Sequence, residues 1–284
     1  MIKEVYLKVH CAAHCCLEYH RANSKKSTAK NYEILLAIFN REFGDRELES
    51  ITSDEVMGFL NRIGEGTRQA TKKFRYALLK AFFNFLRNTI DENIPNPCDT
   101  RILRKIFREP KIHRWDILEK DLVDEMIFRT RRHRNRLKLE LMARGGMRIG
   151  EVLKVRAGDV SDQKIILYDP KSGKESEAVY IPKKVAERLK EYIRAKNLGL
   201  NKRIFPFGYS RARDIVIEAG KLVGIQLKSH DLRRHSATYA SRAGTPIEIV
   251  SKVILRHANL ATTQRYLGKI TDVEAVRWIE NLYS

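Results

Sequence analysis

The stretch RHANLATTQRYLGK, Arg256 to Lys269, lies close to the end of a 284-residue chain. It sets a histidine, His257, nine residues before a tyrosine, Tyr266, with two threonines and a glutamine between them. By itself the tyrosine reads as a packing residue with a polar tip, the common role of such a side chain near a helix. A chemical role for its hydroxyl depends on what else the chain carries.

Charge is the first indication. Fifty-five Lys and Arg face thirty-five Asp and Glu, a formal net charge of +20. A field of that sign draws polyanions, nucleic acid first among them. No apolar run approaches the ~18–20 residues that span a bilayer. The opening MIKEVYLKVHCAAHCCLEYH is broken throughout by Glu, Lys and His, unlike a secretory signal. These features predict a cytoplasmic protein with no membrane partner. The four cysteines are too few for a disulfide framework in a chain this long. His10 with His14, and Cys11 with Cys15, share a helical face, but no second ligand pair follows, so no metal site is expected. Small cysteines packed on an amphipathic helix are the simpler reading.

The periodicity predicts a helical first part. NSKKSTAKNYEILLAIFNREF repeats apolar residues at Tyr32, Leu35, Leu36, Phe39 and Phe43, one helical face, with Ser27 or Thr28 as its cap. Thr52 or Ser53 opens the next helix, with Glu55 placed for a capping box. In TRQATKKFRYALLKAFFNFLRNT, residues Ala77, Leu78, Ala81, Phe82, Phe85 and Leu86 are expected to point inward, leaving basic residues for phosphates. The prolines of IPNPCD stop that helix. The expected organisation is a helical unit over 1–105, a charged connector over 106–114 and a second unit over 115–284. The second unit is mixed. LEKDLVDEMIFRTRRHRNRLKLELMARGG reads as one helix; VSDQKIILYDPKSGKESEAVYIP reads as strand, Ser-Gly turn and strand; further helices follow. The fold class is therefore mainly α with a small antiparallel β-sheet, in two domains.

Some of these residues suit a phosphodiester. Arg148, just past two glycines at a helix start, offers a planar and permanently charged fork beside amides of positive potential. Glu151, one turn on, is placed to hold that guanidinium. In HDLRRHSATY, His230 and Arg233 are three apart and share a face.

The arginine of GMRIGE, the His-x-x-Arg about eighty residues later and LRHANLATTQRY together resemble the tyrosine site-specific recombinases: phage integrases and Xer-type chromosome-resolution recombinases. The resemblance covers essentially the whole chain. It implies a helical core-binding domain followed by a catalytic domain. It implies that Arg148 and Arg233 clamp the scissile phosphate, that His230 hydrogen-bonds it and takes the tyrosine's proton, that His257 contacts a non-bridging oxygen, and that Tyr266 is the nucleophile. Glu151 matches an acidic position supporting the first arginine. The family's general acid, a lysine on the sheet turn, matches Lys171, with Lys174 as the alternative. Two positions depart from the family pattern. Arg256 stands where glycine is usual, adding bulk and charge beside His257, and Arg234 stands where histidine or a small polar residue is common.

The resemblance further implies in-line attack by Tyr266, a 3′-phosphotyrosyl link, and rejoining by another strand's 5′-hydroxyl. Neither ATP nor a metal cofactor is expected. The partners it implies are double-stranded DNA with specific recombination sites and a homotetramer on that DNA. The amphipathic tail TDVEAVRWIENLYS is expected to dock on a neighbour. Because the chain opens directly on the core-binding helices, no arm-binding domain like that of some phage integrases is expected. A type IB topoisomerase-like relaxing enzyme and a non-catalytic basic DNA-binding protein are the competing readings.

Overall fold

A computed structural model describes residues 8–108, 117–168, 170, 175–264, 266–267, 275–276 and 278–280. The chain divides into two compact units, Met1–Ile112 and His113–Ser284.

The first unit is helical: α1 (Val9–Asn23), α2 (Lys26–Phe43), α3 (Ser53–Gly64), α4 (Gln69–Thr89) and α5 (Arg101–Ile106). The α2 stripe of Tyr32, Leu35, Leu36, Phe39 and Phe43 is buried as its spacing requires. Phe39 anchors an aromatic cluster, its ring 5.2 Å from Phe59 and 6.1 Å from Phe83. Ser27 and Thr28 do not cap α2; the helix starts earlier, with Lys25 at its extended N-cap. At α3 the capping box forms: the Thr52 N–H donates to Glu55 Oε2 (2.9 Å), and Thr52 Oγ1 accepts from the Glu55 N–H (3.3 Å). On α4, Phe82 and Leu86 are buried as expected and Leu78, Ala81 and Phe85 pack partly against the core, but the buried stripe is shifted. Tyr76, Leu79, Phe82, Phe83 and Leu86 turn inward, while Ala77 is exposed. The reason is partly polar: the Tyr76 hydroxyl donates to the Cys98 carbonyl, and its ring stacks on Phe107 at 5.4 Å. Cys16 is buried in α1, and His10 uses its Nδ1 on the Gly44 carbonyl (2.8 Å).

The second unit has α6 (Lys120–Arg129), α7 (His133–Arg144), the single turn α8 (Ile149–Val152), strands β1 (Val160–Ser161), β2 (Lys164–Tyr168) and β3 (Ser176–Tyr180), then α9 (Lys183–Ala195), α10 (Tyr209–Lys221) and α11 (Ser229–Arg242). A turn α12 (Ile247–Ile249) widens into π-helical geometry over Val250–Ile254, and α13 (Leu260–Gln264) follows. The sheet is antiparallel in the order β1-β2-β3, one short strand more than the hairpin expected. The segment read as one helix is two. Arg136 reaches back to the Phe128 and Thr130 carbonyls and closes α6 there, so the last carbonyls of that helix are satisfied without its continuing. Helix α7 runs through the middle of this unit. It packs on α6, α9 and α11 and buries every residue from Leu137 to Ala143, including Lys138 and Glu140. Lys138 donates to the Ala212 carbonyl of α10, and burial pushes its ammonium down to about 7.

Gly146 joins α7 to the site. Its φ of +59° is one that L side chains rarely adopt, and a Cβ there would meet the Ile254 carbonyl oxygen at 2.8 Å. The loop carrying Arg148 can approach the π-helical turn this closely only with glycine at that position. Among the described residues no helix is long and apolar enough to cross a membrane.

Candidate active site

A cavity of about 920 Å³ opens in the second unit, lined by Arg148, His230, Arg256, His257 and Tyr266 among other residues. They come from separate elements: Arg148 from the N-cap of α8, His230 from the first turn of α11, His257 and Arg256 from the loop after the π-helical turn, and Tyr266 from just past α13.

Arg148 is oriented by Glu151. Its backbone N–H donates to Glu151 Oε2 (2.8 Å) and its Nη1 to Oε1 (2.6 Å). Burial pushes the Glu151 carboxyl up, but Arg256 and Arg148 outweigh it and hold the group below the ordinary carboxylate range.

Arg233 does not lie on the cavity wall. It is wholly buried behind it, its Nη1 donating to the Gly146 carbonyl and its Nη2 to the Leu255 carbonyl. Its guanidinium carbon stands 5.9 Å from the centre of the Tyr266 ring. Burial, with Arg148 and Arg256 nearby, brings its pKa down to about 10, so it stays charged at neutral pH. Its Nε is buried with no partner among the described residues. An unsatisfied donor on a cation is costly and suits an incoming anion.

His230 faces the cavity and is open to solvent on one side. Partial burial and the guanidiniums of Arg234, Arg233 and Arg148 hold it below the usual histidine value. Arg234 forms an ion pair with Asp231 at 2.8 Å.

His257 is buried, and burial with the three nearby guanidiniums of Arg233, Arg148 and Arg256 lowers its pKa to about 4. Its Nδ1 lies 2.9 Å from Thr263 Oγ1, which is 2.8 Å from Ser251 Oγ. Spacing alone gave no reason to single out either hydroxyl. The signal was present only as one of the two threonines between His257 and Tyr266. Thr263 is fully buried, and its carbonyl accepts the Tyr266 N–H at 2.8 Å. One residue therefore ties the histidine to the tyrosine. The Tyr266 ring meets the His257 ring edge-on at 5.0 Å and rests on the small apolar cluster of Ala237, Val250 and Leu255.

Of the six residues singled out from the sequence, the structure brings Arg148, His230, His257 and Tyr266 to one cavity, with Arg233 directly behind it. Lys171 and its alternative Lys174 lie outside the described residues.

This chain resembles known proteins in sequence and in fold. Tyrosine recombinase XerA of Pyrococcus furiosus is 26% identical over 278 residues, 90% of this chain and 90% of that protein. The structure of the Tn1549 transposon integrase in complex with a circular intermediate DNA has the same fold, with a TM-score of 0.75 and 18% identity, over 97% of this chain and 99% of that one. A lambda integrase tetramer bound to a Holliday junction is also similar, with a TM-score of 0.71 and 20% identity, over 93% of this chain and 79% of that one. The model of the phage integrase family matches residues 117–271, the stretch that contains the cavity and every residue on it. The chain belongs to the phage integrase family and is a tyrosine recombinase.

Proposed function

We propose that this chain is a site-specific DNA recombinase that cuts and rejoins strands through a 3′-phosphotyrosyl intermediate held on Tyr266. The observation that carries this is the convergence, within one unit of one chain, of the Tyr266 phenol with Arg148, His230 and His257 around a cavity backed by Arg233.

A phosphodiester seated in the cavity meets the Arg148 guanidinium, which loses little freedom on binding because Glu151 already holds it, with the fixed charge of Arg233 behind the wall. An ordinary phenol, with a pKa near ~10, keeps its proton at neutral pH. His230, lowered and so neutral, is in the state a base requires. The Tyr266 oxygen attacks phosphorus, the bond to the 5′ oxygen breaks, and that oxygen leaves as a hydroxyl. Lys171 is the proposed proton donor to it. A 5′-hydroxyl of another strand then attacks the phosphotyrosine, restores a phosphodiester and frees the phenol. One phosphoester replaces another, so the cycle as proposed draws on neither ATP nor a metal.

The proposed partner is double-stranded DNA carrying recombination sites, engaged by four protomers. The formal charge of +20 and the tetrameric assembly of the lambda integrase relative support this. The proposed tail contact with a neighbour is supported by the exposure of Val276 and Ile279, 57% and 58%.

A duplex nicked next to the cleavage point loses the short fragment that carries the new 5′-hydroxyl after attack and traps the adduct. Digestion and mass mapping should place the DNA on the peptide containing Tyr266. An adduct on a different peptide, or none, overturns the reading.

The relay behind His257 gives a second expectation. Thr263→Val keeps the volume but removes the hydroxyl, leaving His257 Nδ1 and Ser251 Oγ without this partner. Single-turnover cleavage should fall about five- to tenfold, the worth of one buried hydrogen bond, with DNA affinity nearly unchanged. A wild-type rate would show that the relay does not orient the histidine.

A further inference from the structure

Arg256 stands where the family pattern has glycine, and it keeps the glycine-like backbone, with φ at +52°. A non-glycine residue held there carries a conformational cost, and this one also buries a guanidinium, 8% exposed as a residue. The side chain is tied on several sides. Nη2 pairs with Glu151 Oε2 at 2.7 Å and lies 3.4 Å from the Gly146 carbonyl, which also accepts from Arg233. Nη1 donates to the Ile254 carbonyl at 2.8 Å. On the other side, Nε faces Glu177 of β3 at 3.7 Å. Glu151 is thereby divided: one oxygen serves the side chain of Arg148, the other serves Arg256.

We propose that Arg256 is a positioning residue: it pins Glu151 and the Gly146 carbonyl so that Arg148, on the cavity wall, and Arg233, buried behind it, are held in fixed geometry around the phosphate site. The inference rests on the recombinase reading above. It assigns Arg256 no contact with DNA. The glycine of the family pattern supplies the backbone conformation alone. Arginine adds a cation at the edge of the cavity that balances Glu151 and Glu177, so that neither carboxylate is balanced by Arg148 and Arg233 alone. The three guanidiniums and two carboxylates leave the cluster with one excess positive charge, the charge of one phosphodiester with opposite sign.

The test is Arg256→Gly, which suits the backbone at this φ. Cleavage of the nicked substrate should fall about 10- to 100-fold, as when a partner behind a site residue is removed, with DNA affinity within about twofold. The pH profile should change as well. Glu151 faces Arg148 from its own turn, Arg256 and His257 from the loop, and Arg233 from α11. Arg256 is the strongest of the influences holding its carboxyl down. Without that cation Glu151 protonates at higher pH and releases Arg148, so the acid limb should rise by about one pH unit. In a Glu151→Gln background, Arg256→Gly should give no such rise. A rise that persists there would come from His257 and would overturn the assignment to Glu151. Arg256→Lys keeps the charge but not the fork. It should retain the wild-type acid limb and lose about tenfold in rate, and it decides the matter if the glycine variant does not fold. Wild-type rate and profile in the variants overturns the inference. Absence of any adduct with the wild-type protein instead overturns the recombinase reading.

Discussion

Tyr266→Phe should form no covalent adduct with a nicked recombination site and should lower strand cleavage by at least about 10⁴-fold, the scale on which nucleophile deletions act. The fold should tolerate the change. The Tyr266 ring makes the contacts with His257 and with the Ala237, Val250 and Leu255 cluster, and phenylalanine keeps that ring. DNA affinity should hold within about twofold, because binding draws on a charge of +20 spread along the chain. Denaturing gel electrophoresis reads the adduct and filter binding reads the affinity. Residual adduct at a tenth of the wild-type level would move the nucleophile to another residue.

Much of the fold was legible because the interactions that make it are local. The α2 stripe follows from spacing on one helix, and the capping box of α3 needs only Thr52 and Glu55 at the right offset. What sequence reading mistook was set by distant partners. The burial of Tyr76 is fixed by a carbonyl twenty-two residues away, and Arg136 ends a helix by bonding outside its own turn. Lys138 is wholly buried against α10, held by a carbonyl seventy-four residues away. In the candidate site the same division holds. Arg148 with Glu151, three residues apart, could be paired from spacing. The bond from Arg256 to Glu151 spans 105 residues, and no periodicity reports it. Nor could spacing show that Arg233 would sit behind the cavity with its Nη groups on two loops.

That placement makes Arg233 the residue whose loss should be felt in stability and in chemistry together. Its Nη groups join the Gly146 carbonyl, on the loop carrying Arg148, to the Leu255 carbonyl, on the loop carrying His257. Arg233→Lys retains a positive charge, but a single ammonium does not reproduce a planar fork reaching two carbonyls. At least one buried carbonyl should lose its partner, at about 1–3 kcal/mol. Urea unfolding should show a loss of that order, without a change in slope if the unfolded state is unaffected. The chemical loss should be larger. With the fork gone, the loops bearing Arg148 and His257 are no longer fixed to each other, and the cation beside the Tyr266 ring is displaced. Cleavage measured where the variant is fully folded should drop about 10²–10³-fold, the scale for losing one preorganised donor to a transition-state oxyanion. Arg233→Met separates the two effects. It should destabilise further, because the Leu255 carbonyl loses this partner and the Gly146 carbonyl keeps only Arg256 at 3.4 Å, and it should cleave no better than Arg233→Lys. If a folded Arg233→Lys protein cleaved at the wild-type rate, the guanidinium would be a structural staple only, and the charge behind the cavity would have no part in strand transfer.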